Sequence, residues 1–191
     1  SFELTAGSDI DLILLYDHDN DAFESDGVKP LDNLKYFTRI TQRLIAALSA
    51  PMAEGVLYEV DMRLRPSGNK GPVAVSLESF ARYHESPESW TWERLALTRA
   101  RVIAGPHALS ARIDAVVSTA LAGAGSQDKI VTDAREMREK LEGQFPGRNR
   151  WDLKYTPGGL IDIEFIAQTL QLLHPEAHDT NTLSALKKLS A

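Results

Sequence analysis

The alternation of apolar and polar positions predicts β-strands in the first part of the chain. The segment from Asp9 to Tyr16 alternates at its start and then becomes wholly apolar, as in a central strand whose far end is buried on both faces. Residues 56–65 alternate strictly, which gives the second strand one apolar and one charged face. The turn-forming residues 67–72 should then reverse the chain into a short strand at residues 73–75, paired with the second strand as a hairpin.

Apolar residues that recur every three or four positions predict helices in the rest of the chain. A helix from Pro30 to Ala50 is expected to pack on the sheet, and Gly105-Pro106 marks a domain boundary. The other predicted helices are Leu77 to His84, Trp90 to Arg101, Ala108 to Ala122, Lys129 to Glu142, Leu160 to Leu173 and Thr182 to Leu189. The predicted fold is therefore α+β, with a small mixed β-sheet and flanking helices in residues 1–105 and an all-α helical bundle in residues 106–191.

Composition and charge exclude several classes of protein. The chain of 191 residues has no cysteine, which excludes disulfides and thiolate metal sites and favours a cytoplasmic location. Its apolar runs are too short to span a membrane, and its net charge of -6 argues against a nucleic-acid partner. Because the chain opens with Ser-Phe-Glu and its first strand follows almost at once, we interpret it as a piece of a longer polypeptide.

Candidate chemistry begins with the string Gly7-Ser8-Asp9-Ile10-Asp11. On an extended strand Asp9 and Asp11 point to the same side with Cα atoms about 6.5 to 7 Å apart, close enough for both carboxylates to bind one or two Mg²⁺ ions. Gly7 permits close backbone approach and Ser8 can donate to a phosphate oxygen, so this turn could hold a triphosphate. For the string alone, a turn followed by solvent-facing acids is the alternative.

A third carboxylate, Asp61, lies on the charged face of the second predicted strand. Three carboxylates on neighbouring strands form the set that two-metal phosphoryl transfer uses. In that arrangement Asp9 and Asp11 would bind both ions, whereas Asp61 would bind the catalytic ion and help to deprotonate the attacking hydroxyl.

Basic residues follow on the same face or in the next turn, at Arg63, Arg65 and Lys70. Guanidinium groups suit phosphate oxygens as bidentate partners, which makes these residues candidates to bind phosphate. Alternatively, Arg63 could merely neutralise the acids, and arginines on a strand face are usually solvated or paired.

Two further stretches have simpler interpretations. Trp90 and Trp92 could stack on a base, but tryptophans at helical spacing are more often core residues. Gly158-Gly159 could present backbone amides to an anion, but a plain helix start with close packing, where Asp162 and Glu164 favour the helix dipole, is the preferred interpretation.

Four blocks of sequence together resemble one known family, glutamine-synthetase adenylyltransferase, of the DNA polymerase β-type nucleotidyltransferase superfamily. They appear in order and span nearly the whole chain. The blocks are Gly7-Ser-Asp-Ile-Asp-Leu-Ile-Leu-Leu-Tyr16, Leu57-Tyr-Glu-Val-Asp-Met-Arg-Leu-Arg-Pro-Ser-Gly68, Trp90-Thr-Trp-Glu-Arg-Leu-Ala-Leu-Thr-Arg-Ala-Arg-Val102 and Gly158-Gly-Leu-Ile-Asp-Ile-Glu-Phe165.

The resemblance implies a nucleotidyltransferase-type sheet domain and a specific reaction. By it, Asp9, Asp11 and Asp61 fall on the three catalytic carboxylates of the superfamily, with Gly7 and Ser8 beside them. One half of such an enzyme uses Mg²⁺ and ATP to attach AMP to a tyrosine hydroxyl of glutamine synthetase. The other half removes the AMP by phosphorolysis and also needs Mg²⁺, and the signalling protein PII together with glutamine sets the balance.

Three functions stay open at this point. Blocks two and three resemble the attaching, C-terminal half, so AMP attachment is the expected activity. The alternatives are the removing half and a noncatalytic module that binds nucleotide or a partner. Most of the upstream glycine-rich turn of the superfamily is missing from this sequence, which puts the activity of the isolated chain in question.

Overall fold

The computed structural model describes residues 8–18, 23–53, 55, 58–147, 149 and 151–191. The strands within these residues are β1 (Ile10–Asp11), β2 (Leu14–Tyr16), β3 (Val60–Asp61) and β4 (Ala74–Ser76). The helices are α1 (Asn33–Leu48), α2 (Leu77–Glu85), α3 (Thr91–Leu97), α4 (His107–Ala122), α5 (Gln127–Gln144), α6 (Leu160–Leu173) and α7 (Thr182–Leu189). The predicted α+β class, with strands confined to the first part and helices alone in the second, is confirmed.

The described residues form two compact units, one ending at Ser86 and the other beginning at Pro87. The sequence predicts the boundary later, at Gly105-Pro106. The difference arises because α3 packs against α4, α5 and α6, so that its buried Leu95 and Leu97 belong to the helical unit. A break in the sequence pattern marks the end of a helix, but packing decides which unit the helix joins.

Parallel strand pairs organise the unit that ends at Ser86. Strand β1 pairs with β3, and β2 pairs with β4, in both cases in parallel. The predicted hairpin between the second strand and residues 73–75 is therefore wrong. The physical reason lies in β4, whose Ala74 and Val75 are 0% and 3% exposed. Pairing with the apolar β2 buries them, which a hairpin arm at the charged second strand would not do.

Helix α1 begins at an Asp32 cap, whose carboxylate accepts a hydrogen bond from the Lys35 amide at 2.9 Å. The ring of Phe37 stacks on Tyr16 of β2 with centroids 4.2 Å apart, which joins the helix to the strands. Three leucines of its predicted packing face remain between 43% and 47% exposed, namely Leu34, Leu44 and Leu48. Packing of α1 on the strands is thus partial within the described residues.

Helix α6 is the centre of the unit from Pro87 to Ala191. It packs against α3, α4, α5 and α7, and its Ala167, Gln171 and Leu172 are almost fully buried. The buried Gln171 amide oxygen accepts a hydrogen bond from the Asp179 backbone at 2.9 Å, which satisfies a polar group in this core. None of the helices in the described part of the chain combines the length and the apolar character needed to cross a membrane.

Candidate active site

The pairing of β1 with β3 places two of the predicted carboxylates side by side. Asp11 is the register partner of Asp61, and the Leu12 amide donates to the Asp61 carbonyl at 2.8 Å. Register partners on neighbouring strands have backbones about 4.8 Å apart and side chains on the same face. Asp9 lies just before β1, two residues from Asp11, and is exposed like it. The register therefore sets Asp11 beside Asp61, and Asp9 lies two residues before Asp11 along the chain.

Arg63 contacts Asp61 through both its backbone and its side chain. The Arg63 amide donates to Asp61 Oδ1 at 2.7 Å, and Arg63 Nε donates to Asp61 Oδ2 at 2.6 Å. A second guanidinium nitrogen completes the ion pair. The Asp61 side chain is 13% exposed, whereas that of Arg63 is 69% exposed. Arg63 therefore reaches from the solvent over a largely buried carboxylate.

Electrostatics tie Arg63 to the whole acidic group. Its side-chain hydrogen bond is the largest influence on the pKa of Asp61 and lowers it, while partial burial works in the opposite direction. The pKa of Arg63 is raised, first by the hydrogen bond to Asp61 and its charge, and then by the charges of Asp11 and Asp9. The guanidinium thus lies within electrostatic reach of all three carboxylates.

The donor chemistry of these acids suits a hard divalent cation, but their present arrangement does not yet form a site. Carboxylate oxygens are the ligands that Mg²⁺ prefers. Across the described ranges, however, no three His, Cys, Asp or Glu side chains are arranged to hold a metal ion. The Asp61 oxygens accept hydrogen bonds from Arg63 instead.

The segment after β3 is a series of tight turns, in which Arg63 is exposed and Arg65 is buried. The Arg65 side chain is buried, and it donates to the Met62 carbonyl and, at 3.4 Å, to the Gly71 carbonyl. These contacts support a structural role for Arg65 in the turn, and its predicted contact with phosphate stays a prediction. Lys70 ends a short 3-10 helix, Gly68–Lys70, and is exposed to solvent.

The remaining predicted phosphate-binding residues precede β1. Ser8 is half-buried, directly before Asp9. Gly7 lies outside the described residues. Their predicted contact with a triphosphate stays a prediction, as do the roles assigned to the three acids.

The structure confirms the helix start at Gly158-Gly159, because α6 begins at Leu160 with Gly159 as its cap, whereas Trp90 departs from its simple interpretation. Trp90 is 68% exposed, so the core interpretation is wrong for this residue. Its backbone amide donates to Glu93 at 2.9 Å, which caps the start of α3.

The start of α6 carries two ion pairs that the sequence alone did not suggest. The Gly158 amide and the Arg138 guanidinium both donate to Asp162, and Glu164 pairs with Arg99 at 3.2 Å. The sequence explained these acids by the helix dipole, and it gave no signal for their arginine partners, which lie more than twenty residues away along the chain. Asp162 therefore connects α5 to the beginning of α6.

Comparison with known families supports the resemblance seen in the sequence. Residues 1–116 match the family model described as glutamate-ammonia ligase adenylyltransferase. Residues 132–191 match a second model, described as GlnD PII-uridylyltransferase.

Curated relatives match most or all of the chain. A protein of Rhizobium meliloti (strain 1021), named bifunctional glutamine synthetase adenylyltransferase/adenylyl-removing enzyme, is 57% identical over 197 residues, which cover 100% of this chain and 20% of the relative. A protein of Brucella melitensis biotype 1 with the same name is 63% identical over 168 residues, covering 88% of this chain and 17% of the relative. The chain thus spans about a fifth of the length of these relatives. From these matches, this chain belongs to the glutamate-ammonia ligase adenylyltransferase family.

Proposed function

We propose that this chain carries a nucleotidyltransferase site that moves AMP from ATP to a tyrosine hydroxyl of glutamine synthetase. The observation that carries the proposal is the parallel register of β1 and β3, which sets Asp11 beside Asp61. Family membership supports it, and the relatives are named for this activity. The substrates ATP and glutamine synthetase, and a cytoplasmic location, form part of the proposal.

In the proposed mechanism Asp9, Asp11 and Asp61 would hold Mg²⁺ with their carboxylate oxygens. When bound, the metal neutralises the triphosphate and lowers the pKa of the attacking hydroxyl. Asp61, the least exposed of the three acids, accepts the proton as the tyrosine oxygen attacks the α-phosphorus. One bond forms between that oxygen and phosphorus, the bond from the α-phosphorus to the bridging oxygen breaks, and pyrophosphate leaves.

Phosphate contacts are proposed for the residues around these acids. Ser8 and Gly7 precede the first carboxylate in sequence, and Arg63 lies within electrostatic reach of all three. Lys70 is exposed at the end of the turn, where its ammonium could reach a phosphate. A phosphate contact is also proposed for Arg65, whose Nε and Nη1 bond backbone carbonyls of the turn, because a guanidinium has five N–H donors in all.

Substitution of Asp11 tests the proposal directly. The assay follows transfer of radiolabelled AMP from ATP to glutamine synthetase by the native polypeptide that carries this sequence. Asp11→Asn should lower transfer by about a hundredfold or more, because one ligand charge is lost at the reacting centre. Asp26→Asn, which removes an exposed acid in the same unit, is the matched control and should leave transfer unchanged. Equal turnover in both variants would reject the catalytic role and favour a noncatalytic docking module.

AMP removal is the second candidate, because the relatives are named for both activities. In that reaction orthophosphate attacks the phosphorus of the tyrosine-linked AMP, releasing ADP and the free tyrosine. Incubating the same polypeptide with adenylylated glutamine synthetase and orthophosphate distinguishes the two. If Asp11→Asn abolishes ADP formation and leaves transfer from ATP unchanged, the chain carries AMP removal.

A regulatory partner is proposed from the second family match. Residues 132–191 match a family described by its action on PII, and they include most of α5 and all of α6 and α7. We propose that PII acts on the complete enzyme, and that this helical segment takes part in the response. Measuring AMP transfer with and without added PII tests the partnership, and an unchanged rate would contradict it.

A further inference from the structure

Both oxygens of the Asp61 carboxylate accept hydrogen bonds from Arg63. Its Oδ1 accepts from the Arg63 amide at 2.7 Å, and its Oδ2 accepts from Arg63 Nε at 2.6 Å. The hydrogen bond from the Arg63 amide is fixed by the backbone of the turn, whereas the guanidinium lies at the end of a flexible side chain. That side chain is 69% exposed, so solvent is available to receive it.

A guanidinium and a divalent cation cannot share the same carboxylate at low cost. Both are positive and both would lie within a few ångströms of Oδ2, where like charges repel strongly at the low effective dielectric of a partly buried site. Asp9 and Asp11 also attract Arg63, because their charges favour its protonated form and contribute to raising its pKa. The cation must therefore compete with Arg63 for the group of acids.

We propose that Arg63 is a displaceable internal counter-ion that holds the Asp61 carboxylate when no divalent cation is present and gives it up when the cation binds. The inference rests on the proposed function, because it takes Asp61 as a ligand. The Arg63 amide keeps its bond to Oδ1 and preserves the orientation of the carboxylate, while the guanidinium turns outward to the phosphates of the nucleotide. Cation and nucleotide then bind cooperatively, since each favours the same position of Arg63.

Binding of Mn²⁺, measured by electron paramagnetic resonance without nucleotide, tests the inference. Arg63→Ala should bind Mn²⁺ about fivefold more tightly than the parent chain, and Arg63→Lys should fall between them. Arg82→Ala is the matched control, because Arg82 is 70% exposed, pairs with Glu78 and lies in the same unit. Its loss of one positive charge should change affinity by less than about twofold.

The same measurement in an Asp61→Asn background distinguishes the role of Arg63 as a counter-ion from the role of Asp61 as a metal ligand. In the Asp61→Asn background, Arg63→Ala should no longer tighten Mn²⁺ binding, because the carboxylate that pairs with Arg63 is absent. If Asp61→Asn binds Mn²⁺ as the parent does, the proposed role of Asp61 as a ligand fails. If Asp61→Asn weakens binding and Arg63→Ala does not exceed Arg82→Ala, only the counter-ion is refuted. Absence of Mn²⁺ binding by Arg63→Ala up to millimolar concentrations would also refute it.

Discussion

Replacing Asp162 tests whether the beginning of α6 is fixed by charge. Its carboxylate accepts a hydrogen bond from the Gly158 amide and pairs with Arg138 of α5. The side chains of Asp162 and Arg138 are 26% and 16% exposed, so water screens the pair only in part. Asp162→Ala removes both interactions, whereas Asp162→Asn keeps a neutral acceptor of the same shape.

The expected loss follows from these two interactions. A hydrogen bond to a charged group contributes about 1.5 to 3 kcal/mol when buried, and an exposed ion pair contributes about 0 to 1 kcal/mol. Partial exposure places each interaction at about 1 kcal/mol, which gives about 2 kcal/mol for Asp162→Ala and about 1 kcal/mol for Asp162→Asn. The Asn variant loses less because the Gly158 amide still finds an oxygen.

Tryptophan fluorescence in urea measures this loss in the correct unit. The chain has 3 tryptophans, at positions 90, 92 and 151, and all belong to the helical unit. Glu139→Gln, an exposed charge on α5, is the control and should change the free energy of unfolding by less than about 0.5 kcal/mol. A loss in Asp162→Ala no larger than that of the control would refute the reasoning.

The pH dependence has a definite sign. Arg138 is the first cause that lowers the pKa of Asp162 below its ordinary value of 3.8, and the Gly158 amide is the second. A carboxyl whose pKa is depressed by folding stabilises the protein fully above its unfolded pKa, and the contribution is lost as the pH falls through the folded pKa. The difference in unfolding free energy between the parent chain and Asp162→Ala should therefore be constant near neutral pH and shrink below about pH 4.

Three further predictions concern packing, a close backbone approach and a helix cap. Leu121 is 1% exposed, so Leu121→Ala should lower the free energy of unfolding by about 2 to 4 kcal/mol. Leu153→Ala, at a 69% exposed site, should lower it far less, and equal losses in urea unfolding would contradict the observed packing. Gly71→Ala should destabilise the turn after β3, because an added Cβ would lie 2.2 Å from the Pro66 carbonyl oxygen, and unchanged thermal unfolding would argue against that approach. Ser76→Ala should cost about 1 kcal/mol by circular dichroism, since its hydroxyl caps α2, and no loss would mean that the cap is dispensable.

Helices of this chain could be predicted from sequence because their signals are local. The bounds predicted for α6 and α7 coincide with those observed. For α7 the Asn181 side chain accepts from the Ser184 amide at 3.0 Å, a cap within three residues of the helix start. Apolar spacing and capping both depend on residues a few positions apart, so both can be recognised in the sequence.

Strand pairing could not be predicted in the same way, because it joins residues far apart in sequence. The predicted hairpin followed from a turn-rich segment between two apolar stretches. Burial of Ala74 and Val75 against the apolar β2 outweighs that local signal. The two strands that were predicted to carry the acids do pair, and their register places Asp11 beside Asp61.

The turn after β3 explains why the arginines, unlike the acids, could not be placed from their spacing. In a continuous strand Asp61, Arg63 and Arg65 would share one face, because side chains alternate with a period of two. The strand ends at Asp61, however, and the backbone turns at once. Arg63 consequently folds back on Asp61 from a 69% exposed position, whereas Arg65 is 6% exposed and bonds carbonyls within the turn. Two arginines that lie two residues apart thus make different contacts. Arg65 stabilises the turn through backbone carbonyls, and the turn places Arg63 where it bonds the Asp61 carboxylate.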